Sequence, residues 1–329
     1  MRELVWPMLL RAPGLALRPA RVGFGAFGVL LVGLIWRLPG LWGPASGSGP
    51  DVVDSLTRTL GWVGAWEERL TVWGWLALGA SGVVLSILGG AIARSVATEV
   101  SLRRRLSWPA ALRFGVLKWP GFAGLVLIPL VGVGLMWLFL VAFGWVMLTL
   151  PVVQVLGGAL YGLALLVGGV MVLLLVGLGL GLPMLAPSLA CEGIDAIDSL
   201  QRSLAYVARR PMVLGCKLAL LGVLGWVLLW GAGAIAEGAA NATWAAVSTT
   251  GAASRAMAEP TFAGPSSGSR ESMRALVRGW SGAPGVLVLG LGVSFFFSAG
   301  TLLYLSMRHA CDGQDPEELW SPAGEGGGA

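Results

Sequence analysis

WPGFAGLVLIPLVGVGLMWLFLVAFGWVMLTLPVVQVLGGALYGLALLVGGVMVLLLVGLGLGLPMLAPSLAC, residues 119–191, runs for 73 positions without an Asp, Glu, Lys, Arg or His. A hydrocarbon core about 30 Å thick is crossed by roughly 20 helical residues, so this run is too long for one span and suits two tilted ones. Thr149, Pro151 and Gln154 interrupt the Leu, Val and Gly pattern and mark the turn of a membrane hairpin. Lipid offers backbone amides no partners, which leaves helices as the solution; a β-barrel would show short alternating segments, and none are present.

Composition widens this reading to the whole chain. Hydrophobic residues make up 56% and charged residues 12%, with a mean hydropathy of +0.80, outside the range of soluble domains. Of 16 tryptophans, Trp6, Trp42, Trp62, Trp66, Trp73, Trp108, Trp119 and Trp280 fall near expected helix ends, as an interfacial belt requires. The 51 glycines lie mostly inside apolar runs, where they let helices approach closely; Gly158 with Gly162 and Gly177 with Gly181 have GxxxG spacing.

Extended to both sides, the pattern predicts an all-α polytopic membrane protein with six transmembrane spans, at about 22–41, 71–94, 121–147, 153–182, 213–236 and 286–307. Pro183 and Pro187 are expected to kink or end the fourth. Short interfacial helices are expected at 4–17, from Val53 onward and around Arg270, Arg274 and Arg278. The Ser, Gly, Ala and Pro-rich segment 238–269 reads as a flexible outer loop. Fifteen Lys and Arg fall on the side of both termini and seven on the other. This excess predicts cytoplasmic termini in a multi-pass plasma (inner) membrane protein of bacterial type. The net charge of +5 therefore sets orientation and does not point to nucleic acid. Cys191, Cys216 and Cys311 have no CxxC spacing and predict no disulfide framework.

An internal repeat is the more specific signal. Ala93-x-Ser95-x-Ala97-x-Glu99 recurs as Ala186-x-Ser188-x-Ala190-x-Glu192, and Ala190-Cys191-Glu192-Gly193 is partly copied as Ala310-Cys311-Asp312-Gly313. Ahead of the odd spans, Trp6-Pro7-x-x-Leu10-Arg11 returns as Trp108-Pro109-x-x-Leu112-Arg113 and loosely as Leu200-x-Arg202, each followed by a proline (Pro19, Pro120, Pro211). The chain thus reads as one membrane domain of three hairpin units, 1–106, 107–197 and 198–313, each opened by an elbow helix, with an acidic, Gly-rich tail at 314–329. A carboxylate at the membrane edge is costly unless paired. Glu99, Glu192 and Asp312 are accordingly expected to pair with elbow arginines drawn from Arg11, Arg113 and Arg202, holding neighbouring units together.

The run Glu192-Gly193, Leu200-x-Arg202-Ser203-x-x-Tyr206-x-x-Arg209 resembles the inner-loop signature of a broad group of bacterial integral membrane proteins, similar to the membrane domain attached to some glycerophosphodiester phosphodiesterases. In that family an EG pair follows an even-numbered span and an Arg-Ser leads towards the next. The resemblance implies architecture more than activity, because one histidine cannot supply a phosphodiesterase site.

Enzyme chemistry finds little else to use. His309, Cys311 and Asp312 lie close in sequence, but a lone histidine beside a span is expected as an interfacial side chain, and no metal or other cofactor is expected. No Ser, His and Asp arrangement and no GxxxxGK loop is present. The expected function is a non-enzymatic scaffold, assembly or accessory subunit of a membrane complex, with lipids and a protein partner or second copy as its neighbours. A transporter or lipid-handling protein is the alternative. Against transport, no ionisable residue is expected near the middle of a span.

Overall fold

The computed structural model describes residues 6–42, 72–148, 154–249, 267–315, 317 and 320. Ten helices follow one another without a strand among the described residues: α1 (Trp6–Leu9), α2 (Ala12–Ala16), α3 (Pro19–Trp42), α4 (Val72–Ser101), α5 (Trp108–Leu117), α6 (Trp119–Phe143), α7 (Gln154–Glu192), α8 (Ala196–Arg209), α9 (Pro211–Ser248) and α10 (Ser267–Asp312). Six of them, α3, α4, α6, α7, α9 and α10, are long and apolar enough to cross a membrane.

Proline opens several of these helices, which suits its fixed φ and missing N–H: Pro19 starts α3, Pro211 starts α9, and Pro109 and Pro120 occupy the second positions of α5 and α6. At its far end α6 widens into a π-helical turn, Gly144–Leu148. Of the turn expected from Thr149 to Gln154, Gln154 opens α7 and 149–153 lie outside the described residues, as does the expected surface helix from Val53.

Three boundaries differ from expectation. Pro183 and Pro187 do not end α7, which continues to Glu192. Helix α9 runs to Ser248, so the first part of the segment read as a flexible loop is helical, and 250–266 lie outside the described residues. The surface helix expected around Arg270 is continuous with the last span as α10. Helix that projects past the lipid loses its apolar periodicity without losing its backbone hydrogen bonds, so hydropathy alone stops too early.

Helices α4 and α10 form the centre. Helix α10 packs against α2, α3, α4, α7 and α9, and α4 against α3, α5, α6, α7 and α10. Of the span windows, 56% of α4 and 61% of α10 are buried, against 6% of α6 and 6% of α7. Burial in α7 is concentrated in its last turns, from Met184 to Cys191. The two long chargeless helices therefore join the bundle chiefly at one end.

Close approach at the centre depends on small residues. A Cβ at Gly25 would stand 2.0 Å from the Gly290 carbonyl oxygen, where α3 crosses α10. One at Gly300 would stand 2.0 Å from the Pro183 oxygen, where α10 crosses α7. The rings of Phe122 and Phe297 fill the spaces left by Gly90 and Gly89. Of the GxxxG pairs, Gly181 and Gly177 face α8 through Val207, Ser203 and Leu204, whereas Gly158 and Gly162 have nothing within 4 Å. Side-chain hydroxyls add cross-helix bonds: Ser294 donates to the Ala16 carbonyl (2.8 Å) and Ser86 to the Phe122 carbonyl (2.9 Å).

Gly300→Val is expected to cost about 1–3 kcal/mol by forcing α7 from α10, while Gly158→Val leaves stability within about 0.5 kcal/mol. Unfolding of the two variants in detergent, followed by circular dichroism, checks the difference.

Candidate functional site: the charged end of the bundle

A helix C-terminus leaves unpaired carbonyls and a partial negative charge. In this chain α7 and α10 each end on an acid, Glu192 and Asp312, and Glu99 lies in the last turn of α4. Acids in these places add to the negative field of the helix end and need cations nearby.

The structure supplies them from the segments that lead into the odd spans. Glu99 pairs with Arg18 and with Arg21, whose Nη2 is 2.7 Å from Oε2. Arg21 is buried and also donates to the Ser95 hydroxyl (2.9 Å), the Ser95 carbonyl (3.0 Å) and the Leu15 carbonyl (2.8 Å). Glu192 pairs with Arg202 and accepts the hydroxyl of Tyr304. Asp312 accepts the hydroxyl of Tyr206 at 2.5 Å and Nη1 of Arg209 at 3.2 Å. The two tyrosine rings lie 5.9 Å apart, so the Glu192 and Asp312 clusters form one cross-brace between α7, α8 and α10.

Of the expected pairings, then, the structure brings Arg202 to Glu192. It does not bring Arg11 or Arg113 to an acid of this set. Arg11 precedes α2 and lies exposed in an open cleft of about 880 Å³ with Glu99, Arg103, Asp315 and Glu317. Arg113 is exposed on the outer side of α5. Arg18 and Arg21 take the Arg11 role because they stand three residues apart where α2 meets α3, on one face towards Glu99. Arg209 takes Asp312 because it lies seven residues, two helical turns, beyond Arg202 on the same stripe of α8.

The motif quoted from 192 to 209 can now be read residue by residue. Gly193 has φ +64° and its N–H returns to the Leu189 carbonyl (2.9 Å), closing α7 in the left-handed conformation that glycine adopts without strain. Gly313 repeats this after Asp312, with φ +69° and a bond to the His309 carbonyl (3.1 Å). Helix α4 ends differently: its left-handed residue is Arg103, φ 51°, four positions after Glu99. Ser203 is buried against Gly181, and Leu200 packs on the core.

Beneath these pairs lie cations that the sequence did not single out. Arg94, Lys217 and Arg308 are, like Arg21, at most 5% exposed. Arg94 donates from Nη1 to the carbonyls of Ala190 (3.1 Å) and Trp320 (2.8 Å), and its guanidinium faces the rings of Phe114 and Trp320. Lys217 donates to the Ser306 carbonyl (3.1 Å). Lys118 donates to the Gly193 carbonyl (3.0 Å) and its ammonium lies 5.3 Å from the Trp320 ring centre. Two signals pointed here: two of only three tyrosines in the chain are Tyr206 and Tyr304, and Trp320 is an isolated tryptophan in a polar tail.

Among the described residues no three His, Cys, Asp or Glu side chains gather to hold a metal ion. His309 is partly buried and its Nδ1 lies 3.1 Å from the Gln314 carbonyl oxygen. Cys191, Cys216 and Cys311 are free thiols. Chemically the arrangement clamps helix ends by charge. Comparison with protein-family models, with curated proteins and with solved structures finds no match to this chain.

Replacing Arg21 by Met leaves Glu99 with one partner and strips its carbonyls of a donor, an expected loss of about 3–5 kcal/mol, whereas Arg113→Met changes stability by less than about 0.5 kcal/mol. A double-mutant cycle with Glu192→Gln and Arg202→Gln is expected to give a coupling of about 1–2 kcal/mol. Both are read from unfolding in detergent.

Burial, and then the bond to Asp312, push the Tyr206 phenol above its usual range. A folded-state value raised above the unfolded one means stability that is whole below about pH 10 and lost as pH climbs through the folded value. The unfolding temperature of the wild type is therefore expected to fall above about pH 10 more steeply than that of Tyr206→Phe.

Proposed function

We propose that the chain is a non-enzymatic integral membrane scaffold, an assembly or accessory subunit of a membrane complex. It would be built as three hairpin units with both ends on the cytoplasmic side of a bacterial plasma membrane. The observation that carries this reading is the contrast between the two ends of the α6–α7 hairpin. At the charged end it is clamped by Glu192, Arg202 and Tyr304. Away from that end few of its residues are buried, 6% of each span window.

Lipid alone can solvate such a surface, but a small-residue face does more. Gly158 and Gly162 leave a shallow strip with no neighbour of its own, where another helix can come close enough for backbone contact. Uncovered Leu163, Leu165 and Leu166 flank it. A partner helix or a second copy is thus the occupant this reading expects, with lipid around the remainder. The local match between the ends of α7 and α10 supports the repeat, since both place an acid before a left-handed glycine. The resemblance to the membrane domains attached to phosphodiesterases supports the architecture in the same way, because its residues serve the clamp.

A photo-reactive amino acid placed at Gly158, Gly162 or Leu166 and activated in native membranes tests the proposal. A discrete protein adduct from the Gly158 and Gly162 face is expected, to itself or to one partner, with lipid adducts elsewhere. Lipid adducts alone from every position on the hairpin would remove the basis for a scaffold.

A further inference from the structure

Helices α3, α4 and α5 enclose a cavity of about 110 Å³ beside the Glu99 cluster, with space for several water molecules and so for a compact group such as a phosphate. Ala20 and Phe24 of α3, Ser95 and Glu99 of α4, and Trp108 of α5 form its walls. Arg18, Arg21 and Arg105 line it as well, and Glu99 is the one acid among its described lining residues. The first turn of α5, which reaches the cavity through Trp108 and Ala111, carries no acid either. We propose that this crevice is the binding site of an anionic phospholipid, with the lipid phosphate at Arg18 and Arg105 and an acyl chain lying along α3.

Three observations carry this. The first is a surplus of positive charge. Both oxygens of Glu99 are engaged, one by Arg18 and the other by Arg21. Arg21 gives its other bonds to Ser95 and Leu15, so it belongs to the fold. Arg18 meets Glu99 through one Nη, and its side chain is 33% exposed. A guanidinium has five N–H donors, so Arg18 can take a second acceptor. Arg105 is exposed and makes no hydrogen bond or ion pair with a described residue. A phosphate can therefore bind both arginines through charge-assisted bonds without displacing Glu99, and its negative charge offsets the surplus.

The second observation is depth. The apolar span of α3 begins at Pro19, directly after Arg18, and that of α4 ends at Ser101, just past Glu99. Trp108, on the cavity wall, is 63% exposed, and tryptophans in such places mark the level of lipid headgroups. The third is a path from the cavity into the membrane. Ala20, Phe24, Phe27, Leu31 and Leu34 follow one another at helical spacing and form one stripe of α3. The first two line the cavity, and Phe27 and Leu34 are 53% and 57% exposed. A soluble phosphate would use the arginines alone. A phospholipid uses the arginines and the apolar stripe together, so the stripe favours the lipid.

The test uses the full-length protein in detergent. Binding of phosphatidylglycerol, with phosphatidylcholine as the zwitterionic control, is followed by native mass spectrometry, and binding of inorganic pyrophosphate by calorimetry. The wild type is expected to hold phosphatidylglycerol in preference to phosphatidylcholine. Arg105→Gln removes a cation on which no described residue depends and weakens that binding about tenfold, the loss of one charge-assisted bond. Arg104→Gln removes the same charge from the neighbouring exposed position, outside the cavity lining, and stays within about twofold of the wild type. Ala20→Trp fills the cavity, keeps every charge and abolishes the preference. Phe27→Ser, on the stripe, weakens phosphatidylglycerol and leaves pyrophosphate unchanged. Equal losses in Arg105→Gln and Arg104→Gln would reduce the effect to a diffuse surface potential and overturn the proposal. So would binding that survives Ala20→Trp, or the absence of any preference for phosphatidylglycerol. Pyrophosphate binding that Arg105→Gln weakens, with phosphatidylglycerol indifferent to Phe27→Ser, would assign the cavity to a soluble phosphate and overturn the lipid. None of these outcomes depends on whether α6 and α7 have a partner.

Discussion

Helix ends in a protein solvated by oil leave carbonyls that neither water nor the next turn can satisfy, and the structure depends on how these are met. Here cations from neighbouring segments meet them. Arg21 reaches the Leu15 carbonyl at the end of α2, Arg94 the Ala190 carbonyl in the last turn of α7, and Lys118 the Gly193 carbonyl just beyond it. A buried guanidinium is itself costly, so each side of the contact removes the other's penalty. The terminal acids enlarge the same exchange: they deepen the negative field at the helix ends and make room for Arg18, Arg202 and Arg209. Burial is concentrated where this exchange takes place, and the chargeless α6 and α7 are packed chiefly there.

This asymmetry explains what could be read from the sequence. The six long helices were legible because oil permits no other backbone solution, and residues 119–191 made the case without any appeal to propensity. Their true ends were not. Ser248 and Ser267 lie well beyond the apolar windows at 213–236 and 286–307, in helix whose polar residues carry no hydropathy signal. Pro183, expected to kink or end the fourth span, does not end it for a related reason. Its missing amide bond is tolerated inside a bundle, and at Gly300 the neighbouring helix packs directly on the Pro183 carbonyl.

At the charged end the acids were legible and their partners only in part. Glu99, Glu192 and Asp312 stand out because each interrupts or ends an apolar run. Arg202 and Arg209 lie on one stripe of α8, so spacing alone cannot say which of them meets Glu192 and which Asp312. Arg11 and Arg18 were equally available until the break between α2 and α3 turned the second one inward. Arg94 and Lys217 were hidden by the habit of treating a cation in an apolar run as the boundary of a span. Both are instead inside the protein, bonded to carbonyls of adjacent helices.

The division of the molecule bears on function through energetics. A bundle clamped by several ion pairs and by close glycine contacts at one end resists rearrangement there, since interiors of this kind are bistable at best and do not deform smoothly. The far part of α6 and α7 has few buried residues, so it can tilt or shift at little cost. Trp320 connects the two considerations. It is the one described contact that the tail makes deep in the clamped end, and it engages Arg94, which also holds the end of α7 through Ala190.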